Sequence, residues 1–105
     1  MTEKRAYMII LAKISNRDAF IQNYSAATTP LVEKYGGHYV ARAQGGTLLE
    51  GVWGDGASVA ISEWPNREAI QAFWDSPEYA KAKALRDGIA DVQVLVIDAP
   101  KFTKD

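Results

Sequence analysis

The stretch Tyr7-Met8-Ile9-Ile10-Leu11-Ala12-Lys13-Ile14 is apolar on both faces of an extended chain. In a strand, successive side chains point to opposite sides. Tyr7, Ile9 and Leu11 therefore line one face, and Met8, Ile10, Ala12 and Ile14 the other. A strand with water on one side alternates apolar and polar residues; this one does not, so both faces of its sheet must be covered. Val92, Val94 and Val96 on one side and Leu95 and Ile97 on the other repeat the pattern near the C-terminus, broken by Gln93 alone.

Between these segments the chain spells two helical regions and two more strands. Ser15-Asn16-Arg17-Asp18 is a helix start, with Asn16 or Ser15 able to accept from an orphan amide. Phe20, Tyr24, Ala27, Leu31 and Tyr35 then follow at spacings of three and four, one face of a helix. Pro30 lacks an amide hydrogen, and a kink or break is expected near Thr28-Thr29. Gly36-Gly37 ends the helix. His38 to Ala43 is the second strand, and Thr47 to Gly51 is expected to continue it beyond a turn at Gln44-Gly45-Gly46. Gly54-Asp55-Gly56 is a turn, and Ala57 to Glu63 the third strand.

Trp64 to Gly88 carries two helix starts in twenty-five residues. Asn66 caps the first, whose stripe is Ile70, Phe73 and Trp74. Asp75-Ser76-Pro77-Glu78 stops and restarts it, with Ser76 as cap and Pro77 in the first helical position. Tyr79, Ala82, Leu85, Arg86 and Ile89 lie near one face of the second piece, and the tail from Pro100 reads as loose.

The order strand, helix, strand, strand, helix, strand predicts an α+β, ferredoxin-like βαββαβ fold with a four-stranded antiparallel sheet and both helices on one face. Crossover handedness favours the strand order 4-1-3-2. With 105 residues, the chain makes a single domain, 1–105. Helices cover one sheet face; an apolar second face is a liability in a monomer. A second copy packed face to face is the simplest cover, so a homodimer, a dimeric α/β barrel, is expected.

Composition excludes several classes. A net charge of −1 leaves no basic footprint for nucleic acid, and no cysteine means no disulfide or thiolate chemistry. The apolar run after Lys4-Arg5 is too short for a membrane span and has no signal-peptide cleavage pattern. A cytoplasmic setting is compatible. The glycines fit no phosphate-binding loop, and no ligand spacing supports a metal; no cofactor is expected.

Chemistry-bearing residues admit two readings each. Arg42, on an otherwise small and apolar strand, is either a fixed fork for an anion or an edge charge, with Glu50 as an ion-pair partner. Glu50 is either a buried base of raised pKa or that partner. Tyr79 and Arg86, two helical turns apart, either converge on an anionic or aromatic ligand or serve as core and as a stem over apolar surface. Trp74, with Trp64 and Phe73, either stacks on a planar ligand or packs the core. His38, the sole histidine, is either a base suited to neutral pH or a solvated strand start; haem on it alone has little support.

The words YGGHYVARA (35–43), LEGVW (49–53) and FWDSPEYAKAKALR (73–86) resemble the domain-of-unknown-function 1330 family, with likeness extending over about residues 7–99. Trp74 stands where that family carries a tryptophan or tyrosine, and His38 where arginine is expected. The resemblance implies a dimeric α+β barrel and no particular activity. Taken together, a homodimer is expected with a pocket beside the second helix, lined by Arg42, Glu50, Trp74, Tyr79 and Arg86, for a small polar or anionic molecule, aromatic ones included. The alternative is a cofactor-free enzyme, an isomerase or monooxygenase, with Glu50 or His38 as catalytic base and Arg42 or Arg86 stabilising an oxyanion.

Overall fold

Described over residues 4–100, the computed structural model sets the two-faced segment in strand β1 (Lys4–Ile14), between two antiparallel neighbours. With β2 (His38–Ala43), β3 (Ser58–Trp64) and β4 (Ala90–Pro100), it forms one sheet in the order β2-β3-β1-β4. This is the strand order that crossover handedness favours, and the fold is the α+β ferredoxin-like one. The register Met8↔Ser62 and Met8↔Val96 puts residues of like parity side by side across the sheet. Ala6, Met8 and Ala12 are buried against the helices, and Ile10, Ile14, Val92, Val94 and Val96 pack around them.

The first helical rod is capped by Asn16, whose Oδ1 accepts from the Ala19 amide at 3.1 Å. It comprises α1 (Arg17–Ala19), a π-helical segment (Phe20–Ser25) and α2 (Ala26–Lys34). The departure from α geometry thus lies earlier than the break expected near Pro30. Pro30 sits inside α2, and both it and Ala26, whose carbonyl loses the Pro30 amide, are exposed. Water can take that carbonyl, so the proline interrupts nothing. In the π segment the Ala26 amide reaches back to the Ile21 carbonyl, five residues away.

Residues 44–57 form a folded loop rather than a continuation of β2. Gly45, Gly51, Gly54 and Gly56 take positive φ, which a strand does not accommodate. The loop closes through Gly46 N–H to the Ala57 carbonyl at 2.8 Å and Leu48 N–H to Asp55 Oδ1 at 3.1 Å.

The second helical region stops and restarts as its sequence dictates. In α3 (Arg67–Trp74) Asn66 Oδ1 accepts from the Ala69 amide, and in α4 (Pro77–Ala84) Ser76 Oγ accepts from the Tyr79 amide. Their inner faces meet the sheet through Trp64, Phe73 and Tyr79, all about 1% exposed. Phe73 lies between the other two, with ring centroids 5.2 Å from Trp64 and 4.5 Å from Tyr79.

The second sheet face carries Ile9, Leu11, Ile61, Leu95 and Ile97, with Leu95 60% and Ile97 40% exposed. Leu49 and Val52 project from the 44–57 loop, whose Trp53 Nε1 donates to Asp91 Oδ2. The tail beyond Pro100, read as loose, lies outside the described residues.

Candidate functional site

A cavity of ≈ 280 Å³ opens between the π-helical segment and the helix-facing side of the sheet. The wider π turn places Phe20, Tyr24 and Thr28, four residues apart, along its helical wall. Ile10, Ala12 and Ala60 form the sheet wall. The lining is therefore mostly apolar, with a few polar groups at defined places, the usual make-up of a small-molecule site.

Strand β2 supplies two of those groups through an irregularity. Residues 39 and 42 are an odd number apart, so a regular strand would point them to opposite faces. A bulge between Tyr39 and Ala41 shifts the register, pairing Tyr39 with Ser62 and Arg42 with Ala60. Both side chains then line the cavity or its surroundings on the helix side, and the Arg42 guanidinium stands 4.6 Å from the Tyr39 ring centroid. Burial holds the Tyr39 phenol above its ordinary pKa, against the opposing pull of Arg42, so it stays protonated at neutral pH.

Arg17 enters from the first turn of the rod, its Nη2 donating to Ser58 Oγ at 3.2 Å. Thr28 is 3% exposed, and its Oγ1 has no hydrogen-bond partner. A buried hydroxyl left unsatisfied costs about 1–3 kcal/mol, so the atom is a standing acceptor and donor facing a lined space.

Behind the helical wall lies a second polar group. Tyr24 Oη and Tyr79 Oη are 2.8 Å apart, and the Arg86 guanidinium stands 5.4 Å from the Tyr24 ring centroid. Burial, then the neighbouring Tyr79, drives the Tyr24 phenol far above its ordinary pKa. Burial opposes the Arg86 charge, but the Tyr79 and Tyr24 hydroxyls more than offset it and keep that guanidinium firmly protonated.

The residues singled out from sequence are thus distributed over the molecule. Arg42 lines the cavity; Tyr79 and Arg86 stand behind it, joined to it through Tyr24. Trp74 borders a separate hollow of ≈ 200 Å³ beside β4, packed on Tyr79 and overlain by Lys83. His38 is on the opposite sheet face, its Nε2 3.2 Å from Glu63 Oε1. Glu50 is exposed in the 44–57 loop, and Arg42 stacks on Tyr39 rather than pairing with it. Arg17, Tyr24, Thr28 and Tyr39 were not singled out. One signal was available: Thr28 continues the Phe20-Tyr24 spacing as a polar residue on an apolar stripe. Among the described residues no group of three or more His, Asp or Glu could hold a metal ion, and no helix is long and apolar enough to cross a membrane.

A family model described as domain of unknown function (DUF1330) matches residues 5–100. The chain belongs to the DUF1330 family. No curated protein matches it. A solved protein of unknown function from Rhodopseudomonas palustris superposes on this DUF1330 chain with a TM-score of 0.77 at 22% identity, covering 98% of this chain and 85% of that one. SnoaB, a cofactor-independent oxygenase from Streptomyces nogalater, gives 0.64 at 13% identity over 98% and 99%. A dimeric ferredoxin-like protein of unknown function from Thermobifida fusca gives 0.60 at 15% over 92% and 91%. At these identities the likeness is one of fold alone.

Proposed function

We propose that this DUF1330 protein binds a small organic anion in the cavity between the π-helical segment and the sheet. The observation that carries this reading is the pairing of an apolar cavity with two guanidiniums, Arg17 and Arg42, neither of which has a carboxylate partner among the described residues. A guanidinium in such a setting favours a carboxylate or phosphate as its bidentate partner.

Binding is preferred to catalysis because of what could act as a base. Among the described residues the cavity lining holds no carboxylate and no imidazole, while burial keeps the Tyr24 and Tyr39 phenols protonated. Glu50 and His38 stand elsewhere, in an exposed loop and on the far face. The likeness to a cofactor-independent oxygenase supports the fold and adds no base to this chain.

The same reading has the protein acting as a homodimer in the cytoplasm, the second copy covering the face that carries Leu95 and Ile97. A dimeric relative of the same fold supports it.

Calorimetric titration with benzoate tests the anion site. Saturable binding that weakens about tenfold or more in Arg42→Gln is the expected result. Absence of binding, or binding indifferent to Arg42→Gln and Arg17→Gln alike, would overturn the reading.

A further inference from the structure

The cavity has a direction, and its two ends differ chemically. At one end Arg17 meets Ser58; towards the other the lining carries Thr28 from the helical rod and Tyr39, paired with Ser62, from the sheet. Eleven residues of helical rod separate Arg17 from Thr28, about 16 Å along the axis. Arg42, paired with Ala60, lies between those ends on the sheet side. Arg17 thus sets a cation at one end, Arg42 sets a second between the ends with its guanidinium 4.6 Å from the Tyr39 ring centroid, and the orphaned Thr28 hydroxyl closes the other end.

Size narrows the occupant further. An apolar cavity of about 150 Å³ takes a benzene ring. A volume of ≈ 280 Å³ accommodates one ring with substituents at both ends. Phe20 and Tyr24 on the helical wall and Tyr39 on the sheet side offer aromatic surfaces to such a ring.

We infer that the cavity takes a single-ring aromatic monocarboxylate bearing a hydroxyl or carbonyl remote from its carboxylate, with Arg42 and Arg17 holding the carboxylate and Thr28 Oγ1 the remote group. The inference rests on the anion-binding reading of the same cavity. Thr28 then acts as the specificity-determining residue: a ligand without the remote group leaves its hydroxyl unsatisfied, and one with it completes the bond.

The test compares benzoate, 3- and 4-hydroxybenzoate and cyclohexanecarboxylate on the full-length protein by calorimetry. At least one hydroxybenzoate is expected to bind about 3–10-fold more tightly than benzoate, and cyclohexanecarboxylate less tightly than benzoate. Thr28→Val, which keeps the side-chain shape, should erase the hydroxyl preference, so that the hydroxybenzoates bind that variant no more tightly than benzoate does. Thr28→Ser should restore it, and Arg42→Gln should weaken all the aromatic acids alike. Equal affinity for benzoate and both hydroxybenzoates, or a preference that survives in Thr28→Val, overturns the assignment of Thr28 while leaving the anion site standing. Equal affinity for benzoate and cyclohexanecarboxylate overturns the aromatic ring. Failure of every acid to bind overturns the anion site itself.

Discussion

Tyr24 and Tyr79 join the π-helical segment to α4 through a hydroxyl–hydroxyl bond of 2.8 Å in the protein interior. Either phenol truncated to phenylalanine leaves the other buried without that partner. Each single variant should lose about 1–2 kcal/mol of stability in urea denaturation. Tyr24→Phe combined with Tyr79→Phe should cost less than the sum, because the second change removes an atom already deprived of its bond. Strict additivity would show that the pair is not coupled.

Gly37 lies flat against the indole of Trp64: a Cβ there would stand 2.6 Å from Cε2 and 2.7 Å from Cδ2. The indole cannot yield, being about 1% exposed and tied by Nε1 to Ser62 Oγ at 2.8 Å. Gly37→Ala should therefore lower stability by about 3 kcal/mol through overpacking. Thermal unfolding followed by tryptophan fluorescence reports both the loss and the disturbed indole.

Glu78 receives bonds from Lys34 Nζ and Tyr35 Oη, and these, Lys34 first, hold its pKa below the ordinary 4.5. A lowered folded pKa means a contribution present in full above pH 4.5 and lost as the pH falls through the folded value. Lys34 answers in the opposite sense: its pKa is raised above 10.5 by Glu78, so its share holds below that value and is lost as the pH rises through the raised one. The pair is exposed and its effect modest. Glu78→Gln should give a flatter stability profile than wild type between about pH 5 and about pH 3. Urea midpoints across that range decide the point; parallel profiles would remove the pair from the acid response.

Leu95 is 60% exposed on an edge strand, beside Ile97 on the same face. If a second copy covers them, Leu95→Asp places an unpaired charge in an apolar contact and should convert dimer to monomer. Sedimentation of wild type and variant at equal concentration reads this directly. A wild-type protein that sediments as a monomer would refute the proposed assembly.

Much of the fold was legible because its signals are local or periodic. Ser76 and Pro77 mark a helix restart by chemistry that depends on few neighbours, and strands of period two fix which residues share a face. The cavity was less legible, for two physical reasons. The π turn at Phe20–Ser25 changes a hydrogen-bond register without any special residue type, so nothing in the composition announces it. The bulge at Tyr39/Ala41 turns Arg42 to the helix side by a displacement of pairing, invisible to simple alternation. Tyr79 and Arg86 were readable as neighbours on one face, but their link to the cavity runs through Tyr24, which sequence spacing had marked only as core. Within the 44–57 loop, Leu48 and Leu49 suggest a strand over 47–51; the positive φ of the loop's glycines decides otherwise.

The π turn has one more consequence. It lodges an extra residue in the rod without breaking it, and each residue of an α-helix advances the chain by about 100° around its axis. Deleting one residue within 20–25 would let the segment revert to ordinary winding and leave Thr28 on the wall, whereas ordinary winding with the residue retained would swing Thr28 off it, relative to Phe20, by about that amount. The chamber's shape is thus indexed by the winding of that one turn, and tightening it with no residue removed would re-aim Thr28 while every side chain kept its identity.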